Sequence, residues 1–352
     1  MGATIKGGFG EKLHSATKIA ALIDALQEKG IPLAEALRGV HLRADELHLP
    51  ATRVSLNQMI EACRNAIRLS RDPNLAFNVG SSIHLSAYGM YGYAMLCSTD
   101  FRRTMEFAVR YHQLATPLTN IAFEEKGKCA TWEITPLPHP RIDAPLYQFL
   151  TEMQIGIHIS LIRDVMGASF TPLRIAVTGQ VSETGLTPEL TGCPVLVAQA
   201  ATQLVMDIAW LDKAPILGNR ATHAAVAEIC DGLLAELGRR SGVAGRVREL
   251  LLENIVNRPD IETVAKHLRT TERTLRRQLR AQQTSFRELL DELRMQLAIK
   301  YLRDTDMTGE DIAGAIGFSD AAAFRHAFRR WTTESPSEFK QFATDARPLF
   351  DR

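Results

Sequence analysis

The chain has 352 residues, of which 45% are apolar and 23% charged, and its formal net charge is only +1. These values fit a globular protein of two or three domains and exclude a polycation that holds nucleic acid by bulk charge. Five scattered cysteines with no CxxC pair point to a reduced, cytoplasmic setting without a zinc site, and no apolar run reaches the ~18 residues of a membrane span.

In chain order, residues 1–16 are Gly-rich and polar and read as a flexible leader without a signal peptide. Its run GATIKGGFGEK lacks the Gly-Lys-Ser/Thr ending of a phosphate loop. Residues 17–29 read as a helix with Ile19, Leu22, Ile23 and Leu26 on one face, ended by Gly30, and Pro32 opens a short helix. Residues 55–70 read as a helix capped by Ser55, and 75–82 as a short apolar helix. Residues 86–97 are Gly- and aromatic-rich, and 100–114 form an amphipathic helix. The texture then changes. Residues 119–125 and 128–135 alternate and meet at Lys126-Gly127, which predicts a hairpin. A Pro-rich break at 136–140 precedes a helix over 143–166, and strands are expected at 173–178, 195–198 and 203–208.

Residues 221–239 carry Val226, Ile229, Leu233 and Leu237 in near-heptad spacing. This helix either contacts a second copy of the chain or packs on its own domain, and 239–242 mark a hinge. Residues 243–257 form a helix with Val247, Leu250, Leu251 and Ile255 inward. Two similar units follow. In the first, the short helix 261–268 breaks at 269–271, and Thr271 caps a helix with Leu275 and Leu279 inward and Arg273, Arg276, Arg277 and Arg280 outward. In the second, a helix bearing Ile312, Ala313 and Ile316 meets Gly317, and residues 320–331 carry Ala323, Phe324, Ala327, Phe328 and Trp331 as one stripe. Arg325, His326, Arg329 and Arg330 lie opposite. The helix 286–303 joins the units, with Phe286, Leu289, Leu290, Leu293, Leu297 and Tyr301 as its apolar face.

Residues 246–339 resemble the DNA-binding domain of the AraC/XylS family of bacterial transcription regulators, through GFSDAAAF, FRRWTTESPSEF and TSFRELLDELRMQLA. The N-terminal half resembles a ligand-binding domain of one branch of that family, through DPNLAFNVG at 72–80, YGMYGYAMLCSTDFRRTMEFAVRY at 88–111 and the corner Trp210-Leu211-Asp212. The implied architecture is mainly α with a small α+β N-terminal part: an effector-binding and dimerisation domain over 17–220, a linker helix and hinge over 221–242, an all-α DNA-binding domain with two helix-turn-helix units over 243–342, and a tail over 343–352. The resemblance implies reading positions at Arg273, Arg276 and Arg277, and at Asp320, Ala321, Ala322, Arg325 and His326. The chain departs from the family where it carries Arg269 and Gln283 in place of Gly, and Arg325 followed by His326 in place of a small polar residue followed by Arg.

Arg-rich helices are often only solvated surface, but here each follows a helix-turn pattern, and arginine can grip guanine or phosphate. Arg276, Arg277 and Arg325 are the base-edge candidates, and Arg329, Arg330 and Lys340 the phosphate candidates. Asp320 can cap its helix or face a base. Tyr88, Tyr91, Tyr93, Met95 and His112 are candidate effector contacts, with core packing as the alternative for each. His84, His112 and His158 match no metal spacing, and Asp143, Glu152 and Asp164 have no nucleophile beside them, so no catalytic residue, metal or cofactor is assigned. The expected protein is a sequence-specific regulator, not an enzyme. Its expected partners are a double-stranded DNA operator, a small-molecule effector, a second copy of itself and RNA polymerase, whose recruitment it alters as an activator does. A constitutive regulator whose first half only dimerises is the nearer rival, and an enzyme fused to a DNA-binding module the more distant one.

Overall fold

The structure is a computed structural model that describes residues 9–345, except 116, 138, 140, 180–183, 241, 258, 283 and 333. A two-residue ribbon pairs β1 (His14–Ser15) with β2 (Arg53–Val54), and α1 (Thr17–Glu28) and α2 (Leu33–Ala36) lie between them in sequence. Then come α3 (Leu56–Leu69), α4 (Leu75–Ser81), α5 (Gly89–Leu96) and α6 (Phe101–Tyr111). Ser55 caps α3 in a reciprocal box: its Oγ accepts from Gln58 N at 3.2 Å, and Gln58 Oε1 accepts from Ser55 N at 3.0 Å.

The hairpin of β3 (Thr119–Lys126) and β4 (Cys129–Pro136) turns at Gly127, whose φ is 60°. Next are α7 (Ala144–Met166), β5 (Arg174–Ala176), α8 (Pro188–Thr191), β6 (Val195–Leu196) and β7 (Gln203–Asp207). The strands expected separately join the hairpin in one sheet of order β3-β4-β7-β5-β6, antiparallel except for β5 with β6. Helix α7 is buried along almost its whole length. It crosses α4 so closely that a Cβ on Gly80 would sit 2.0 Å from the Met153 carbonyl oxygen, and one on Gly156 2.4 Å from that of Phe77. Only glycine permits this approach.

Helix α9 (Arg220–Arg240) packs on the same domain through Val226 and Cys230, while Ile229 and Leu233 stay exposed. The C-terminal part comprises α10 (Gly242–Glu253), α11 (Ile261–His267), α12 (Glu272–Ala281), α13 (Phe286–Asp304), α14 (Gly309–Ala315), α15 (Ala321–Thr332) and α16 (Pro336–Asp345). It has two small cores. One gathers Val247, Leu251, Val264, Leu275 and Leu279. The other gathers Ile312, Ile316, Phe324 and Phe328. Helix α13 gives Leu289 and Leu293 to the first and Met295, Ala298, Ile299 and Leu302 to the second. The single apolar stripe read from the sequence is therefore incomplete, because the helix turns different faces to two neighbours along its length.

The flexible leader expected over 1–16 also needs correction. Residues 1–8 lie outside the described residues, but Phe9 is 5% exposed and meets the His139 ring edge-on at 4.2 Å. Phe9 N donates to Glu292 Oε1 at 3.3 Å, and Arg248 binds both Glu11 at 3.1 Å and Glu292 at 3.0 Å. Residues 9–11 thus tie the N-terminal domain to α10 and α13. Burial pushes the Glu292 carboxyl pKa upward against the pull of Arg248. The tail expected over 343–352 begins within α16, and residues 346–352 are outside the described set.

Removing one partner of a buried ion pair strands the other. Arg248→Met should lower the stability measured by urea unfolding by roughly 3–5 kcal/mol; an unchanged midpoint would show that the clasp contributes nothing. A second prediction concerns pH. Burial holds His158 at a pKa of about 4 and His139 at about 3, against 6.5 for a free imidazole. The unfolded chain then binds more protons below pH 6.5, so stability is full above that value and falls as pH drops toward these lower pKa values. Between pH 7 and 5 His158 should account for a loss of about 2 kcal/mol. Urea midpoints that do not move over this range, in wild type and His158→Gln alike, would contradict it.

Candidate nucleic-acid interface

The first helix-turn-helix unit is built by capping and one left-handed residue. Asp260 Oδ1 accepts from Thr263 N at 2.7 Å and starts α11. Arg269 takes φ 53°, the conformation that the family's usual glycine adopts without strain. Thr271 Oγ1 accepts from Thr274 N at 3.2 Å and starts α12. Leu275 and Leu279 are fully buried, so Arg273, Arg276, Arg277 and Arg280 all face solvent. Arg276 is not unattached: its guanidinium meets Glu272 at 2.7 Å, one turn back. Gln283, the other departure from glycine, lies outside the described residues.

In the second unit Thr308 and Asp311 form a capping box that starts α14. Gly317 makes the turn at φ 78°, and a Cβ there would lie 2.2 Å from the Ile255 carbonyl oxygen. Arg294 of α13 holds this turn, donating from Nε to the Ile316 carbonyl at 2.9 Å and from Nη2 to that of Gly317 at 3.0 Å. Its guanidinium also lies 4.8 Å from the centre of the Phe318 ring. Asp320 accepts from Ala323 N at 2.7 Å and from the Ser319 hydroxyl at 2.9 Å, so its side chain is engaged as the cap of α15. Phe324, Ala327 and Phe328 point inward; Ala322, Arg325, His326, Arg329 and Arg330 are exposed, and Ala321 is half-buried.

Two cations expected at phosphate have partners within the chain. Arg330 Nη2 lies 2.9 Å from Asp291 of α13, and Lys340 Nζ donates to the Met307 carbonyl at 3.3 Å. A cleft of about 440 Å³ opens between α13 and α15, lined in part by Arg287, Asp291, Arg294, His326 and Arg330. Sequence reasoning missed Glu272, Asp291 and Arg294. The i, i+4 spacing of Glu272 and Arg276 was a readable signal, whereas Arg294 acts through distant backbone carbonyls that no local pattern reveals.

Residues 30–214 match the family described as the arabinose-binding domain of AraC transcription regulators, N-terminal, and residues 264–341 match a helix-turn-helix domain family. The chain belongs to the AraC family of transcription regulators. Relatives of this AraC-family chain include the ornithine utilization regulator of Pseudomonas aeruginosa, 29% identical over 91% of this chain and 94% of that one. A helix-turn-helix regulator of Mycobacterium tuberculosis is 29% identical over 94% and 97% respectively. The transcriptional regulator CdpR of Pseudomonas aeruginosa, a solved structure, aligns over 91% of this chain and 96% of its own at 22% identity, with a TM-score of 0.48. The matched domains and relatives are DNA-binding transcription regulators, not enzymes.

In the N-terminal domain of this AraC-family regulator, the five candidate effector contacts part company. Tyr88 and Tyr91 meet edge-on at 6.0 Å, and Met95 is buried nearby on α5. Tyr93 of the same helix is 48% exposed. His112, just past the end of α6, has its Nδ1 2.8 Å from the Val109 carbonyl of that helix. The carboxylates singled out have structural partners: Asp143 caps α7, Glu152 accepts from Thr184 and Gly185, and Asp164 accepts from Leu85 N and meets His84. Among the described residues, no group of three or more His, Cys, Asp or Glu side chains is placed to hold a metal, and no helix is long and apolar enough to cross a membrane.

The second turn gives a paired prediction. Gly317→Ala forces a left-handed alanine, at a cost of about 1–2 kcal/mol, besides the clash with Ile255. Gly314→Ala sits in open space within α14 and should stabilise by roughly 0.5–1 kcal/mol. Melting curves of the two variants should therefore shift in opposite directions; equal shifts would refute the assigned role of the turn.

Proposed function

We propose that this regulator binds its operator by placing α12 and α15 in successive major-groove segments, and that a small molecule held by the N-terminal domain changes how the pair is presented. The observation that carries this reading is the matched construction of the two helices. Each is anchored by a buried apolar stripe, each turns a row of cations to solvent, and both are fixed to α13. Arg276, Arg277 and Arg325 take base edges, where a guanidinium fork suits guanine. Arg273, Arg280 and Arg329 take phosphates, which set register without reading sequence. Ala321, Ala322 and His326 lie along the contact face of α15. The engagement of Asp320 as a cap supports a structural part for it, and the Asp291 pair supports a role for Arg330 in seating α15 on α13.

An effector acts in this scheme only if it binds one arrangement of the domains better than another. The exposed Ile229 and Leu233 of α9 support a contact with a second copy of the chain, and RNA polymerase is the partner whose recruitment changes.

Arg276→Ala should weaken operator binding by about 1–3 kcal/mol while leaving binding to random DNA at the same salt unchanged. Equal losses on both would reassign Arg276 to phosphate. For the wild type, log affinity should fall linearly with log salt concentration; a flat response would sink the proposed basic faces.

A further inference from the structure

The N-terminal domain buries a lysine ammonium that has no acidic partner among the described residues. Lys18 of α1 is 8% exposed. Among the described residues its ammonium has one acceptor in reach, Gln154 Oε1 at 3.5 Å, and that oxygen already accepts from Thr119 Oγ1 at 3.2 Å. The neighbouring Cys63 supplies no anion, because burial pushes its thiol pKa up to about 12. Burial draws the pKa of Lys18 itself down to about 7.

A second buried donor is unmatched among the described residues. Trp132 of β4 is 1% exposed, and its Nε1 has no hydrogen-bond partner among the described residues. His158 of α7 bridges the two. Its ring lies 5.1 Å from that of Trp132, and its Nδ1 lies 2.8 Å from the Gln154 carbonyl and 3.1 Å from Gln154 Nε2. Buried donors are almost always satisfied, so an indole N–H without an acceptor beside an ammonium held by one long hydrogen bond describes a place short of acceptors.

We infer that Lys18 and Trp132 form the recognition end of an effector site in the N-terminal domain, and that its ligand is a small monocarboxylate with an apolar body. This inference rests on the proposed response to a small molecule. A carboxylate is an acceptor with two oxygens, one for the ammonium and one for the indole N–H. A single negative charge matches a single buried cation, since His158 and His14 are held neutral by burial at pKa values of about 4. The surroundings of Trp132 are apolar: its ring packs on Phe123 at 4.9 Å, and it belongs to the continuous hydrophobic core of the N-terminal domain, against which Phe123 packs. Neutral ligands would leave the ammonium without its counter-charge, and dianions would bring a second charge with no partner.

The test is thermal melting of the full chain with acetate, hexanoate, octanoate and benzoate, each against its primary amide, in wild type and Lys18→Met. The expected result is a saturable rise of several degrees with at least one acid and none with its amide. K18M should lose that rise, melt no lower than unliganded wild type, and keep its salt-dependent DNA binding. Equal shifts by acid and amide, or a shift retained in K18M, would overturn the site and leave the effector reading standing. No shift with any of the acids would overturn the site; no shift with any neutral compound either would count against both. The acid-against-amide comparison in wild type decides the matter even if K18M fails to fold.

Discussion

The double role of α13 governs the C-terminal half. One helix completes two hydrophobic cores, and Arg294 on it binds the Ile316 and Gly317 carbonyls of the turn after α14. The turn it holds presses on Ile255, which belongs to the first core. The two units are therefore not beads on a flexible string. Moving α15 relative to α12 would expose apolar surface, leave a guanidinium without acceptors, or both, and buried charged donors are costly to leave unpaired.

The charges on the outer faces are managed differently from those at the seams. Arg276 with Glu272 is an exposed pair, worth little in water and easily exchanged for a phosphate or a base. Arg248 with Glu11 and Glu292 is buried, and holds because each charge has partners. That cluster gives the N-terminal segment a direct hold on α13, the same helix that spaces the recognition helices. A shift in the N-terminal domain thus has a short physical route to the DNA-binding half.

Much of this was legible in the sequence, for physical reasons. Helices with one buried stripe and a strong cap, such as α3, α12 and α15, announce themselves by local periodicity. The left-handed turn at Arg269 followed from the resemblance to a position where glycine is usual. The order of the five strands was not legible, because β7 inserts between β4 and β5 through long-range pairing. Nor was the second apolar face of α13, since a helix with two neighbours blurs its own periodicity. Lys18 was missed because a lysine within an apolar helix is ordinarily read as solvated, and only its burial beside Gln154 of α7 and Cys63 of α3 shows otherwise.

The spacing imposed by α13 is tested most directly by operator variants that separate the two segments read by α12 and α15. Insertion of about 5 base pairs, half a helical turn, or of about 10, a full turn, changes the distance without altering either segment. A rigid pair predicts that both insertions reduce affinity at fixed salt toward that for random DNA. Affinity unchanged by either insertion would contradict the account.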